Sequence, residues 1–133
     1  MTVKTTTYQY HHMGIPTSEV REGERYSSSF KMYTSGGQES EYRIQYHRFE
    51  KDCPLHALIK SKPHVAFKVD KLEEAIEGKE VILGPYEPFP GYKVAMIAEC
   101  NTPIEFIETT LTEEEIWNSD HNNSVIYPED EVR

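Results

Sequence analysis

Six histidines stand in a chain of 133 residues, and four of them fall in short stretches where apolar and polar side chains alternate. Alternation places every second residue of a strand on one face. From Tyr8 to Pro16, His12 shares a face with Gly14 and Pro16, opposite Met13 and Ile15. From Pro63 to Val69, His64 shares one with Ala66 and Lys68, opposite Val65, Phe67 and Val69. From Tyr42 to Phe49, Gln45 and His47 lie on one side, and from Pro103 to Thr110, Glu105 lies opposite Ile104 and Phe106. Four strands thus carry an imidazole, amide or carboxylate away from their main apolar stripe. Where such faces curve toward one another, their nitrogen and oxygen donors suit Zn, Fe, Mn, Co or Ni as a divalent ion, without choosing among them. The same rule turns His11 away from His12. His56 reads as a loop residue, His121 as a solvated one, and Glu108, of opposite parity to Glu105, as a charge at a strand end.

Seven strand segments are needed to position these groups: Tyr8–Pro16, Phe30–Ser35, Tyr42–Phe49, Pro63–Val69, Glu80–Leu83, Tyr92–Glu99 and Pro103–Thr110. They are rich in β-branched and aromatic residues and are broken by turn-formers such as Gly36-Gly37 and Pro90-Gly91. A helix is predicted over Lys71 to Glu77, capped by Asp70 with Glu73 completing a capping box, and stopped by Gly78. Ser18 to Ser29, with Gly23 and the run Ser27-Ser28-Ser29, makes a weak helix or a loop. Thr112 followed by three glutamates starts a short helix through Trp117, with its acids where the helix dipole favours them. The polar tail from Asn118 to Arg133 is expected on the surface or over a neighbouring subunit. His12 to Ser18 and His64 to Asp70 share a pattern (His, apolar, small, apolar, any, β-branched, capping residue), so each half of the chain begins on a histidine-bearing strand.

Composition narrows the partners. A net charge of −9 repels phosphate backbones and anionic lipid surfaces, which argues against nucleic acid and membrane. No apolar run reaches the roughly 20 residues of a bilayer span. Met1 to Tyr10 lacks the apolar centre of a signal peptide. The two cysteines, Cys53 and Cys100, are too few for a disulfide scaffold and read as free thiols, so the expected location is cytoplasmic.

His12-Met13-Gly14-Ile15, Pro63-His64-Val65-Ala66-Phe67-Lys68-Val69-Asp70 and Pro103-Ile104-Glu105-Phe106-Ile107-Glu108 together resemble the vicinal oxygen chelate superfamily. That group includes glyoxalase I, methylmalonyl-CoA epimerase, bleomycin-resistance proteins and extradiol dioxygenases. The resemblance runs from about Tyr8 to Thr110. It implies an α+β fold of paired βαβββ modules whose strands form an open, curled mixed β-sheet around a divalent metal. Module one would cover 8–60, module two 61–111, and a C-terminal helix and tail 112–133, all in a single domain. Carried over by residue, the family's first metal ligand falls on His12, the third on His64 and the fourth on Glu105. For the second, Gln45 and His47 are rivals on the same strand face. The chain departs from the family in replacing the usual long helix after the first strand with the poor helix-former Ser18 to Ser29.

What the resemblance implies for chemistry is isomerisation, epimerisation or lyase turnover of a small molecule with vicinal oxygens, through an enediolate stabilised by the metal. Glu105 would shuttle the proton only by leaving the metal, so Glu50 and Glu99 stand as separate candidate bases. Two other readings stand beside this one. An iron-dependent ring-cleaving dioxygenase needs two histidines and one carboxylate, but draws them from one catalytic half, whereas His12 lies in the first module. A metal-free sequestering protein of the bleomycin-resistance type would line its pocket with Tyr42, Tyr46, Phe49, Tyr86 and Tyr92. Family members are commonly homodimers, and the segment around Trp117 and Tyr127 is where a partner would be covered.

Overall fold

The computed structural model describes residues 7–118; His121, Tyr127 and most of the polar tail lie outside the described residues. The first half runs β1 (Tyr8–Pro16), β2 (Arg25–Ser27), β3 (Met32–Gly36) and β4 (Ile44–Phe49), followed by a short helix α1 (Ala57–Ser61). The second half runs β5 (His64–Val69), α2 (Leu72–Ile76), β6 (Glu80–Phe89), β7 (Tyr92–Glu99) and β8 (Thr102–Thr109), and α3 (Glu113–Asn118) closes it.

All eight strands join one mixed sheet in the order β2-β3-β4-β1-β5-β8-β7-β6. At its centre β1 and β5 pair antiparallel, while β1 pairs parallel with β4 and β5 parallel with β8. Counted outward from this seam, the two halves repeat each other strand for strand. Strand parity sorts the apolar residues onto two faces. Phe67, Val69, Ala95, Ile97 and Phe106 pack on one side against Leu72 and Ala75 of α2. Ala66, Val94 and Ile107 pack on the other with Phe89, Tyr92 and Ile116, the last from α3. Each buried Val, Leu, Ile or Phe among these is worth about 1.5–3 kcal/mol. The edge strand β6 pairs with β7 through three register shifts and carries Pro85 and Pro88, while the opposite edge, β2, has only three residues.

Ser18 to Ser29 forms no helix. It is a loop that contains the short strand β2, as its glycine and serines favour. Two details of the helices differ from the expectation. Asp70 does not cap α2: its carboxylate accepts a hydrogen bond from Thr7 Oγ1 at 3.1 Å. The first N–H of the helix, at Leu72, donates instead to Glu108 Oε1 at 2.7 Å, so a charge that reads as a strand-end residue serves as a cap delivered from β8. Helix α1 was not expected; its N-cap is His56, whose Nδ1 accepts from the Leu58 N–H at 3.1 Å. Helix α3 forms where it was expected and is closed by a capping box, with Thr112 N–H donating to Glu115 Oε1 at 2.8 Å and Glu115 N–H to Thr112 Oγ1 at 3.1 Å. Among the described residues no helix is long and apolar enough to cross a membrane.

Because the Leu72 N–H is buried against the sheet, Glu108→Ala should lower stability by about 1 kcal/mol, the ordinary cost of a lost cap. Asp70→Ala should cost about 0.5 kcal/mol or less, as a surface change does. Urea unfolding of the two variants checks this, and the reverse ranking would restore Asp70 as the cap.

Candidate metal centre

The seam strands bring the histidines together because small residues stand opposite them. Across the β1–β5 ladder His12 faces Ala66 and Gly14 faces His64. A Cβ at Gly14 would lie 2.2 Å from His64 Cε1 and 2.7 Å from both His64 Nε2 and His47 Nε2. The absent side chain is therefore the space in which these rings meet. On the flanking strands, Gly14 pairs with Gln45 and Ala66 with Glu105, so Gln45 holds in the first half the position Glu105 holds in the second.

One ligating nitrogen each from His12 and His64 and a carboxylate oxygen of Glu105 all lie within 4.8 Å of one another. Glu105 Oε1 is 3.3 Å from His12 Nε2 and 3.1 Å from His64 Nε2. Two donors sharing one ion at about 2.0–2.2 Å are separated by about 3.0–3.5 Å, so the spacing suits a common cation. Both histidines are buried. Burial would raise the Glu105 pKa, but hydrogen bonds and charge from His12 and His64 hold it well below the usual carboxylate range. His47 stacks on His64 with ring centroids 5.5 Å apart. Its Nδ1 is hydrogen-bonded to Thr34 Oγ1 at 3.0 Å, while its Nε2 is buried with no hydrogen-bond partner among the described residues. An unsatisfied buried polar atom costs about 1–3 kcal/mol, which marks a cluster that a further atom would complete. The donor types, their spacing and this orphaned nitrogen fit a divalent cation.

A cavity of about 310 Å³ opens on the cluster and is lined by His12, Gln45, His47, His64 and Glu105. Phe49, Tyr86 and Tyr92 also line it, whereas Tyr42 is exposed and Tyr46 packs under the Arg21 guanidinium. Neither Glu50 nor Glu99 reaches the cavity. Glu50 Oε1 accepts from the Tyr26 hydroxyl at 2.6 Å, and Glu99 lies at the surface beside Lys79.

His11 is the functional neighbour that parity missed. The β1–β5 register shifts between Tyr10 and His12, and this bulge turns His11 and His12 inward together, leaving His11 1% exposed. The two Nδ1 atoms are 2.8 Å apart, and His11 Nε2 is 2.9 Å from Glu113 Oε1 on α3. The Trp117 ring stacks on His11 at 5.7 Å, 7° from parallel, and its Nε1 donates to the same Glu113 oxygen at 3.0 Å. At Gly37, where φ is +109°, a Cβ would come within 2.8 Å of both Gln45 Cγ and the Trp117 ring. Glycine thus admits α3 to the edge of the site. Burial lowers the His11 pKa to about 4 and that of His47 to about 3.

No protein-family model and no curated protein sequence matches the chain. Among solved structures it is similar to a hypothetical protein of Bacillus halodurans, with a TM-score of 0.60 and 19% identity over 84% of this chain and 99% of that one. It is also similar to methylmalonyl-CoA epimerase of Mycobacterium tuberculosis, with a TM-score of 0.56 and 13% identity over 83% of this chain and 94% of that one. The fold is glyoxalase-like.

Two outcomes follow from this geometry. Gly14→Ala should displace His64 and weaken metal binding by at least about tenfold, read by metal titration; wild-type affinity would show that the rings do not depend on that space. The second concerns pH in the metal-free protein. Unfolded, His11 and His47 take up protons below about pH 6.5; folded, they stay neutral down to about pH 4 and about pH 3. Between those values the unfolded state holds more protons, so stability rises with pH, by up to about 1.4 kcal/mol per unit for each ring. The urea midpoint should therefore fall from pH 6.5 to pH 5, and a flat profile would contradict the buried neutral rings.

Proposed function

We propose that the chain is a divalent-metal-dependent isomerase, epimerase or lyase acting on a small molecule with vicinal oxygens. The observation that carries this is the convergence of His12, His64 and Glu105 at ligand spacing on the wall of a cavity. The likeness to a methylmalonyl-CoA epimerase supports a reaction of this class. The free thiols of Cys53 and Cys100 accord with a cytoplasmic location.

A Zn, Fe, Mn, Co or Ni ion held there would supply a Lewis acid, lowering the cost of negative charge on the substrate oxygens. Gln45 is the fourth donor, because its register beside Gly14 repeats that of Glu105 beside Ala66. His47, paired with Pro16 two positions on, adds a neutral nitrogen next to His64. Glu105 is the proton carrier: on leaving the ion, its carboxylate would accept a proton from the substrate carbon and return it to the carbon skeleton. Phe49, Tyr86 and Tyr92 exclude water around the reacting carbon and pack on its apolar substituent.

Elemental analysis of the purified protein separates this reading from a metal-free sequestering role. His12→Ala, His64→Ala and Glu105→Gln should each lose bound metal, and Gln45→Leu should weaken it more than His47→Leu. Wild-type protein should catalyse metal-dependent deuterium exchange at the α-carbon of some member of a panel of 2-hydroxy and 2-oxo carbonyl compounds. Full metal content and unchanged exchange in all three triad variants would overturn the assignment.

A further inference from the structure

We propose that His11 and Glu113 form an outer relay that locks His12 in the tautomer with its proton on Nδ1, making α3 a working part of the metal site. The inference rests on the metal reading above and adds residues that the ligand set does not contain.

Proton counting gives the tautomer. Glu113 Oε1 lies 2.9 Å from His11 Nε2 and accepts, so His11 carries its proton on Nε2. A neutral His11 then presents a lone pair at Nδ1. The contact at 2.8 Å between the two Nδ1 atoms holds one proton, and that proton must come from His12. With Nδ1 protonated, His12 would give Nε2 to an ion by releasing the proton that this nitrogen shares with Glu105, beside His64. A hydrogen bond of this kind fixes ring orientation and strengthens the ligand, and removing such a partner typically weakens metal binding by about 10–100-fold.

The far end of the relay is held as firmly as the near end. Glu113 accepts from Trp117 Nε1 on the same oxygen and is flanked by Arg43 Nε at 3.8 Å and Lys68 Nζ at 3.6 Å. Arg43 also donates from Nη1 to the His11 carbonyl at 3.0 Å. These contacts leave Glu113 one role on its inner side, which is to accept from His11. His11 is a positioning residue: it touches His12, not the cavity.

The test uses the full chain and Zn²⁺ or Co²⁺ as probe. Trp117 is the one tryptophan, so its emission reports on α3 directly. In wild type, metal titration should change that emission with the same midpoint as direct metal binding. His11→Phe keeps a flat ring under Trp117 but removes the acceptor for His12. Its metal affinity should fall about 10–100-fold while the thermal midpoint of the metal-free protein moves little. His11→Gln, whose amide can accept from His12 and donate to Glu113, should recover most of the loss. If His11→Phe does not fold, Glu113→Ala at the half-exposed end should show the same direction with a smaller factor. Wild-type affinity in both His11→Phe and Glu113→Ala would overturn the relay, as would equal loss in His11→Phe and His11→Gln. Wild-type protein that binds neither ion would overturn the metal reading itself and this inference with it.

Discussion

Everything at the site depends on two strands meeting at a place where side chains are small. The β1–β5 ladder is the middle of the sheet, and on it His12 stands across from Ala66 and His64 across from Gly14. Imidazole rings on neighbouring strands of a flat ladder would be held apart by ordinary side chains opposite them. Gly14 removes that obstacle for His64, and Ala66 reduces it for His12. The parallel neighbours β4 and β8 are then fixed in register against the same two small residues, which puts Gln45 and Glu105 beside the rings. One constraint, space on the seam, thus sets the positions of side chains from four strands and of the cavity that opens onto them.

Much of this arrangement was legible in the sequence because it obeys a local rule. Tyr8–Pro16 and Tyr92–Glu99 read as strands and are strands, and alternation sorts Phe67 and Val69 toward the helix and His64 and Ala66 away from it. His12, His64 and Glu105 could be named because each lies on a stretch where parity holds. What parity cannot register is an extra residue in the ladder. The bulge after Tyr10 is decided by the pairing of β1 with β5, far away in the chain, and the alternation rule along Tyr10-His11-His12 does not announce it. The one available signal was the doubled histidine itself, since two adjacent imidazoles on an inner strand need a reason.

The other surprises share that character. Glu108 caps α2 because β8 delivers its carboxylate to Leu72 across 36 residues, whereas capping rules look only a few residues along the chain. Asp70 satisfies the local rule and is drawn off by Thr7. Trp117, in a segment that reads as a cover for a second subunit, turns inward onto His11. For the cap of α2, composition and local spacing name a residue able to do the job, and long-range pairing assigns the job to another.

The sheet's two margins bear on how the protein behaves in company. An open sheet of eight strands presents rows of unpaired amides at both ends, a template on which another chain can grow. Here one margin is a strand of three residues, too short to hold a guest. The other, β6, is long, but its prolines remove N–H groups and its three register shifts break the straight line that an added strand would need. Among the described residues the fold therefore blunts both sheet edges against edge-to-edge growth without closing into a barrel.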